Sequence, residues 1–124
     1  MTNIEKTAEA LRKRDYEVAC FETSEEAADY VDSKINGFTV GFGDSETLMA
    51  LRLYERLLKH NDVRDPMHPQ EGVGFYATAR QCLTTEIFLT SENGIAETGE
   101  MVNIDGTGNR VAGSLYGHRK VYFI

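Results

Sequence analysis

The sequence predicts an α/β fold of three layers, in which a mostly parallel sheet carries helices on both faces. Short segments rich in aromatic and β-branched residues alternate with segments in which apolar residues recur every three or four positions. Glycines and helix-capping residues separate the two kinds of segment. Such an alternation favours parallel pairing, because each helix returns the chain to the starting edge of the sheet. A length of 124 residues indicates a single domain, residues 1–124.

The chain begins with a predicted amphipathic helix that is followed by a strand. Ile4, Ala8 and Leu11 recur at helical spacing among charged residues, which is typical of a helix with one buried face. Residues 16–21 are largely apolar and favour a strand.

A capping box predicts where the second helix begins. Thr23 would accept a hydrogen bond from the first turn, and Glu26 would reach back to the Thr23 backbone. Gly37 is expected to end this helix as its C-terminal cap. The residues expected to face inward are Ala27, Tyr30, Val31 and Ile35.

The middle of the chain predicts two strands on either side of one long helix. Residues 38–43 form a short strand that runs into a glycine turn, and Asp44 or Ser45 can cap the next helix. That helix continues to His60, and residues 61–66 favour a return strand. The apolar residues that define the long helix are Leu48, Leu51, Tyr54, Leu57 and Leu58.

The last third of the chain predicts two more strands and two more helices. Residues 75–83 favour a short helix and residues 86–90 a strand. Residues 91–106 combine short extended pieces with Asn-Gly, Thr-Gly and Asp-Gly turns. Residues 107–116 favour a helix, and residues 120–124 a final strand.

Charge and hydropathy narrow the classes of partner. A net charge of −7 repels phosphate backbones, so we expect no nucleic-acid partner; the only basic cluster is His118, Arg119 and Lys120. No apolar run approaches the ~20 residues of a membrane span. The N-terminus also lacks the apolar core of a signal peptide. We therefore expect a cytoplasmic protein that has no membrane partner.

The cysteines and histidines do not predict a metal site. Cys20 and Cys82 lie far apart, outside any Cys/His ligand pattern, so this chain is not expected to hold zinc or an iron–sulfur cluster by itself. Both are expected to be buried, reduced thiols. His60, His68 and His118 show no metal-ligand spacing, so structural or solvated roles are favoured.

The first segment that could bind a ligand lies between a strand and a helix. Gly41 and Gly43 would let a ligand approach the backbone, and Ser45 could offer its hydroxyl to a carboxylate or phosphate. The third glycine of the dinucleotide-binding fingerprint is absent. Asp44 and Glu46 already place negative charge at the helix start, so a self-capped structural turn is the alternative.

The second segment, residues 103–112, combines turn residues with an arginine. Arg110 lies in the first helical turn, where the helix dipole disfavours a cation, so a structural turn does not explain it. Its guanidinium could bind a carboxylate or phosphate through two hydrogen bonds. Alternatively, Arg110 pairs with Asp105 or Glu100 and braces the turn. The predicted ligand-binding residues of this segment are Asn103, Asp105, Gly106, Thr107, Gly108, Asn109 and Arg110.

The third segment, residues 92–100, contains three glutamates within nine residues. Glu97 is flanked by small residues, so we expect it in a confined place where it could serve as a general base or covalent nucleophile. Glu97 is therefore the candidate catalytic residue. A solvated hairpin edge is the alternative.

Three motifs, in order along nearly the whole chain, resemble those of the LUD-domain family, in particular lactate utilization protein C. Residues 102–112 with residues 116–121 resemble the family's main signature. Residues 40–48 resemble its other glycine segment. Residues 87–91 with residues 96–99 resemble a third.

The resemblance implies a fold of the NagB/RpiA/CoA-transferase-like group and a link to a system that oxidises lactate to pyruvate. In that system the iron–sulfur clusters belong to partner subunits, so this chain is expected to carry no cofactor. Asp44 stands where relatives often have glycine, which weakens an anion site at the first turn. Relatives also carry a C-terminal extension after the last strand, and we expect this single LUD domain to lack it.

Three functional hypotheses follow. In the first, the chain binds a small carboxylate- or phosphate-bearing metabolite and acts with redox partners, the ligand lying between the two glycine segments. In the second, it is a stand-alone enzyme of the isomerase or CoA-transferase type that uses Glu97. In the third, it is a non-catalytic interaction subunit whose apolar last strand, residues 120–124, joins another chain or a second copy in a homo-oligomer.

Overall fold

The computed structural model describes residues 1–124 and contains a four-stranded parallel sheet between two layers of helices, which confirms the three-layer α/β prediction. None of its helices has the length and apolar character needed to cross a membrane. The helices are α1 (Asn3–Arg12), α2 (Ser24–Lys34), α3 (Glu46–Ala50), α4 (Leu53–Leu58), α5 (Gly74–Gln81) and α6 (Asn109–Leu115), with a 3₁₀ turn at Cys82–Thr84. The strands are β1 (Thr39–Phe42), β2 (Asp62–Arg64), β3 (Ile87–Thr90), β4 (Gly94–Ile95), β5 (Met101–Val102) and β6 (Lys120–Phe123).

The strand order of the main sheet is β2-β1-β3-β6. All neighbouring strands pair in parallel, so their carboxyl ends lie at one edge of the sheet. From β1 the chain continues to β2 on one side, and from β3 it continues to β6 on the other side. The direction of winding therefore reverses between β1 and β3. Strands β4 and β5 form a separate antiparallel hairpin between β3 and α6.

The two faces of the sheet carry different helices. Helices α2, α3 and α4 cover the face that contains the main core, whereas α5, the 3₁₀ turn and α6 cover the opposite face. On the second face the Phe88 ring fills the space beside Gly113, where a Cβ atom would overlap it. The core on the first face consists of Ala28, Val31, Ile35, Val40, Phe42, Leu48, Leu53, Leu57, Val63, Ile87 and Leu89.

Local signals place most element boundaries as predicted. The Thr23 hydroxyl accepts a hydrogen bond from the Glu26 backbone N–H at 3.2 Å and caps α2. The return strand predicted at residues 61–66 is shorter: β2 ends at Arg64, two residues before Pro66, which has no N–H to donate to a ladder. The predicted strands and helices from residue 86 onward all form, with ends shifted by one or two residues.

The prediction of one long helix ending at His60 is wrong, because the chain breaks between α3 and α4. Arg52 lies in the left-handed region with φ +55° and separates the two short helices. In a continuous helix Leu48 and Leu53, five residues apart, would point about 140° away from each other. The break lets both side chains reach the core, where they are 1% and 0% exposed.

The predicted strand at residues 16–21 is also wrong, because this segment forms no ladder with the sheet. It runs beside the outer edge of β6 instead. The Tyr16 ring meets the Phe123 ring edge-on at 6.1 Å, and Lys120 Nζ lies 3.1 Å from a Glu17 carboxylate oxygen. Side-chain contacts thus cover part of the edge that a further strand would occupy.

Candidate functional site

The candidate site lies at the carboxyl ends of β1 and β3, where the winding of the sheet reverses. The chain leaves β1 for α3 on one face and leaves β3 for α6 on the other. Elements that diverge from two neighbouring parallel strands leave a crevice between them, and ligands of open α/β sheets bind in such crevices. We call this space the β1–β3 crevice.

The structure brings the two predicted glycine segments together across the β1–β3 crevice. Asn109 donates a hydrogen bond from Nδ2 to Asp44 Oδ1 at 2.8 Å, which joins the start of α6 to the turn after β1. A Cβ atom added at Gly43 would lie 2.8 Å from Arg110 Cγ. Gly43 is therefore required for the close approach of the Arg110 stem to the end of β1.

Ser45 contributes to this site through a partner that the sequence did not indicate. Its hydroxyl lies 2.6 Å from the hydroxyl of Ser91, directly after β3, and both residues are buried. Ser45 Oγ also accepts a hydrogen bond from the Leu48 backbone N–H at 3.4 Å and caps α3. The self-capped turn considered from the sequence is thus present. The contact between the two serines also joins the residues that follow β1 to those that follow β3.

Gly41 occupies a packing position rather than a wall of the crevice. It lies within β1, and a Cβ atom there would be 2.7 Å from the carbonyl oxygen of Cys82 and from the hydroxyl oxygen of Thr85. The 3₁₀ turn therefore presses against the sheet at this point. A side chain at residue 41 would collide with backbone atoms that cannot move aside.

Arg110 turns its guanidinium toward the loop after β3. One Nη atom donates to Asn93 Oδ1 at 2.8 Å and to the carbonyl oxygen of Ile104 at 2.9 Å. The alternative of an ion pair with Asp105 or Glu100 is not observed. Asp105 instead accepts a hydrogen bond from the Val111 backbone N–H at 3.0 Å, and Glu100 pairs with Arg14 at 2.6 Å. Arg110 thus donates hydrogen bonds to neutral groups, and no carboxylate forms an ion pair with its guanidinium.

The other residues of the second segment differ in their surroundings. Gly106, Thr107 and Gly108 are exposed, and the Thr107 hydroxyl forms no hydrogen bond within the chain. Gly108 precedes α6 with φ +93°, a conformation that favours glycine. Asn103 is partly buried beside Glu92, and its amide favours the ionised form of that carboxyl group.

Glu97 does not lie in the confined place expected from the sequence. It is exposed near the tip of the β4–β5 hairpin. Arg14 anchors this tip to the end of α1 by donating hydrogen bonds to the Thr98 carbonyl oxygen and to the Glu100 carboxylate. The role of Glu97 as a catalytic group stays a prediction.

Glu92 is the buried carboxyl group of the site. Both carboxylate oxygens are buried, and neither forms a hydrogen bond of normal geometry. Burial raises the pKa of Glu92 above its ordinary value, while Asn103 and the positive charge of Arg110 lower it in part. The sequence did not distinguish Glu92 from the other two glutamates of the third segment. Its position directly after β3 is the signal that could have selected it.

Unpartnered polar atoms concentrate in this part of the molecule. Five buried side-chain oxygen or nitrogen atoms lack a hydrogen-bond partner, and four of them belong to Glu92, Asn109 and Arg110. They are both oxygens of Glu92, Oδ1 of Asn109 and Nε of Arg110; the fifth is Nε2 of His118. Buried polar groups normally have a hydrogen-bond partner, so such a cluster indicates groups that could bind a ligand.

Two open clefts elsewhere lack this property. One, of about 370 Å³, is lined by α2 and α4 residues including Arg56, which lies 3.7 Å from Glu25. The other, of about 450 Å³, is lined by residues including His60 and Glu86. Those groups pair within the chain, His60 with Asp32 at 2.6 Å and Glu86 with Arg119. Neither cleft is lined by residues of the β1–β3 crevice. We place the site in that crevice because the unpartnered polar atoms lie there.

The histidines are held by structural contacts, and no group of three or more His, Cys, Asp or Glu side chains is arranged to hold a metal ion. His68 Nδ1 lies 3.0 Å from the buried Asp65, and its ring stacks on Tyr54. His118 stacks on Phe88, and its Nδ1 lies 2.7 Å from the Thr85 carbonyl oxygen. Both imidazoles are thus oriented by neighbours outside the crevice.

Comparison with known proteins agrees with the three-motif resemblance. The chain matches the model of one protein family, the LUD domain, over residues 4–124. Neither the comparison with curated proteins nor the comparison with solved structures found a match. Because the family match covers nearly the whole chain, the protein belongs to the LUD domain family.

Proposed function

We propose that this LUD-domain protein binds a small hydroxy acid in the β1–β3 crevice and acts in a system that oxidises lactate to pyruvate. The observation that carries the proposal is the cluster of buried, unpartnered polar atoms of Glu92, Asn109 and Arg110 at that crevice. Family membership supports the connection to lactate utilization. The electron-transferring iron–sulfur clusters would belong to partner subunits, and the complex would be cytoplasmic.

The unpartnered atoms of the crevice match the two functional groups of a hydroxy acid. Arg110 Nε is a donor without an acceptor, and its guanidinium is the cation that a ligand carboxylate would approach. Asn109 Oδ1 is an acceptor without a donor, and a ligand hydroxyl could supply that donor. A simple anion would leave the acceptor unpaired.

The charge around the crevice favours a carboxylate over a phosphate. The neighbouring segments carry three carboxylates, Asp44 bonded to Asn109, Asp105 bonded to the Val111 N–H, and Glu92, but one guanidinium, that of Arg110. A phosphate group with nearly two negative charges would be repelled more strongly by these carboxylates than a singly charged carboxylate. Of the two ligand classes that the sequence suggested, the carboxylate is therefore the better fit.

Each helix N-terminus beside the crevice has one N–H group bonded to a side chain of the protein. Ser45 caps α3, and Asp105 accepts from the Val111 N–H of α6. The Gly43 N–H donates to the Leu89 carbonyl oxygen at 2.8 Å. The side chains of Asn109 and Arg110, with the N–H groups of the first turn of α6, therefore supply the recognition, and Gly43 permits the close approach of α6.

Ligand titration of the full chain tests the proposal. We expect L-lactate to raise the thermal midpoint and to shift amide signals of residues 43–45 and 109–110 in a two-dimensional NMR spectrum. Arg110→Ala and Arg110→Lys should weaken binding, because each removes the planar guanidinium. Arg80→Ala is the matched control, since Arg80 is exposed on α5 and its side chain forms no hydrogen bond or ion pair. Absence of any response to lactate and pyruvate, or equal affinity in Arg110→Ala, would refute it.

A second candidate function is that of an interaction subunit. Apolar side chains are exposed before and after α6: Ile104 precedes the helix and is 75% exposed, and Leu115 and Tyr116 at its end are 75% and 92% exposed. Such residues favour contact with a partner protein. The terminal strand that first suggested this role is partly covered by residues 16–21, so the hairpin and the end of α6 are the better candidates. Light scattering that shows a strict monomer at high concentration would count against a homo-oligomer.

The stand-alone enzyme remains a separate proposal. It requires turnover by this chain alone that depends on Glu97. Exposure of Glu97 at the hairpin tip offers no burial or partner that would activate its carboxylate. Glu97→Gln should abolish any turnover of an isomerase or CoA-transferase substrate, and unchanged turnover would exclude the role.

A further inference from the structure

Glu92 lies where a group that contacts the ligand would have to lie. It follows Ser91 directly at the carboxyl end of β3, beside the point where the winding reverses. The charge of Arg110 and the amide of Asn103 both act on its carboxyl group, so Glu92 lies near these two residues of the second glycine segment. The group that would hold a ligand carboxylate, Arg110, is therefore its neighbour.

No structural role accounts for the Glu92 carboxyl group. Other acidic side chains of the protein have defined partners: Asp105 caps α6, Glu100 pairs with Arg14, and Asp65 accepts from the Met67 N–H at 3.0 Å. Glu92 alone keeps two buried oxygens without a hydrogen bond. Burying an unpaired carboxyl group is costly, so a purely structural site would not retain one.

We propose that Glu92 accepts a hydrogen bond from the hydroxyl of the bound hydroxy acid and so distinguishes a 2-hydroxy acid from the corresponding 2-keto acid. This inference rests on the proposed binding of a hydroxy acid beside Arg110. An ionised carboxylate can only accept hydrogen bonds; the Asn103 amide is the one nearby donor of the chain, and a ligand hydroxyl supplies a further donor. A keto oxygen has no proton to offer and would face the carboxylate oxygens directly.

The two alternative groups fit this role less well. Glu97 is exposed at the hairpin tip, where water can satisfy its carboxylate. Asp65 and His68 form a locally satisfied turn in which the carboxylate accepts from a backbone N–H and lies 3.0 Å from the imidazole. Neither leaves buried acceptor atoms unpaired. A site built around an unpaired acceptor discriminates strongly against a ligand that lacks the donor.

The test compares the affinities of four probes for the full chain by NMR titration: L-lactate, pyruvate, propionate and 2-methoxypropionate. The wild-type protein should bind L-lactate at least roughly 10-fold more tightly than the other three, because only lactate carries a hydroxyl proton. 2-Methoxypropionate needs no protein variant, so it keeps the test valid even where a substitution impairs folding. Equal affinities of lactate and 2-methoxypropionate would overturn the inference.

Variants then assign the preference to one residue. In Glu92→Gln the affinities for lactate and pyruvate should converge to within about 3-fold, because an amide can donate to a keto oxygen as well as accept from a hydroxyl. Glu71→Gln is the matched control and should keep the wild-type preference, because Glu71 is exposed and its carboxylate pairs with no group of the chain. A preference that persists in Glu92→Gln, or disappears in Glu71→Gln, refutes the assignment to Glu92.

The same titrations separate the two levels of the argument. If no probe binds the wild-type chain, the proposed function fails and the role of Glu92 fails with it. If all probes bind with equal affinity and Arg110→Ala abolishes binding, the carboxylate site stands and only the inference about Glu92 is wrong.

Discussion

Replacement of Gly43 by alanine tests the contact on which the candidate site depends. The new Cβ atom would lie 2.8 Å from Arg110 Cγ, 2.9 Å from Thr90 Oγ1 and 3.3 Å from Phe88 Cζ. The Phe88 ring is held against Gly113 and Thr90 is 1% exposed, so neither can easily retreat. The Arg110 stem must therefore move, and its hydrogen bonds to Asn93 and Ile104 would be distorted.

The size of the effect follows from overpacking. Insertion of one methyl group into a well-packed site costs about 1–3 kcal/mol in the free energy of unfolding. For a chain of 124 residues, each kcal/mol corresponds to a change in melting temperature of about 4 °C, so Gly43→Ala should melt about 4–12 °C lower. Gly106→Ala is the matched control, because nothing lies within 4 Å of its Cβ position. It should change stability by less than about 1 kcal/mol, in either direction.

Urea unfolding of the single variants and of the double variant Gly43→Ala/Arg110→Ala measures the coupling between the two segments. Truncation of Arg110 removes one of the two shortest contacts, so Gly43→Ala should cost at least about 0.5 kcal/mol less in that background. Gly43→Ala should also weaken lactate binding, since the guanidinium is displaced. The reasoning is refuted if Gly43→Ala and Gly106→Ala have the same stability, or if the two substitutions are strictly additive.

Three further predictions concern buried groups. Burial raises the pKa of Glu92, so its contribution to stability is fully present below about pH 4.3, the unfolded value, and is lost as the pH rises through the folded value. Glu92→Gln should therefore gain stability relative to wild type between pH 4 and pH 8 in urea unfolding, and a constant difference would contradict this. Ser91→Ala leaves the Ser45 hydroxyl without its partner at 2.6 Å and should cost about 1–3 kcal/mol, which thermal unfolding measures; an unchanged midpoint would exclude a structural role for the pair. Burial raises the pKa of the Cys82 thiol to about 11, so a thiol reagent at pH 8 should modify only the exposed Cys20 in the folded protein, and rapid labelling of two thiols would contradict the burial.

The sequence was sufficient to predict the order of the elements wherever a local signal marks their ends. The Thr23 cap acts within a few residues along the chain, so neighbouring residues were enough to predict it. The two errors have a common cause. The break at Arg52 and the failure of residues 16–21 to join the sheet both depend on which surfaces are free to be covered, and periodicity does not contain that information.

The candidate site, too, could be predicted from the sequence only in part. The approach of the two glycine segments was expected from the sequence, because strands in a parallel sheet end at one edge and turn residues follow both β1 and the hairpin. The pairing of Ser45 with Ser91 was not, since 46 residues separate two unremarkable serines. Sequence composition selected Glu97, whose small neighbours suggested confinement, but the structure buries Glu92 and exposes Glu97.

The sequence by itself determined the α/β class, the family and the order of most elements, because capping, periodicity and motif spacing are properties of neighbouring residues. Only the tertiary structure decided which groups are buried without a partner. Burial and pairing depend on atoms brought together from distant segments, such as Gly43 with Arg110 and Asp44 with Asn109. The free energy of a carboxyl group or a guanidinium is set by those surroundings, so the chemistry of the site emerges only in the folded chain.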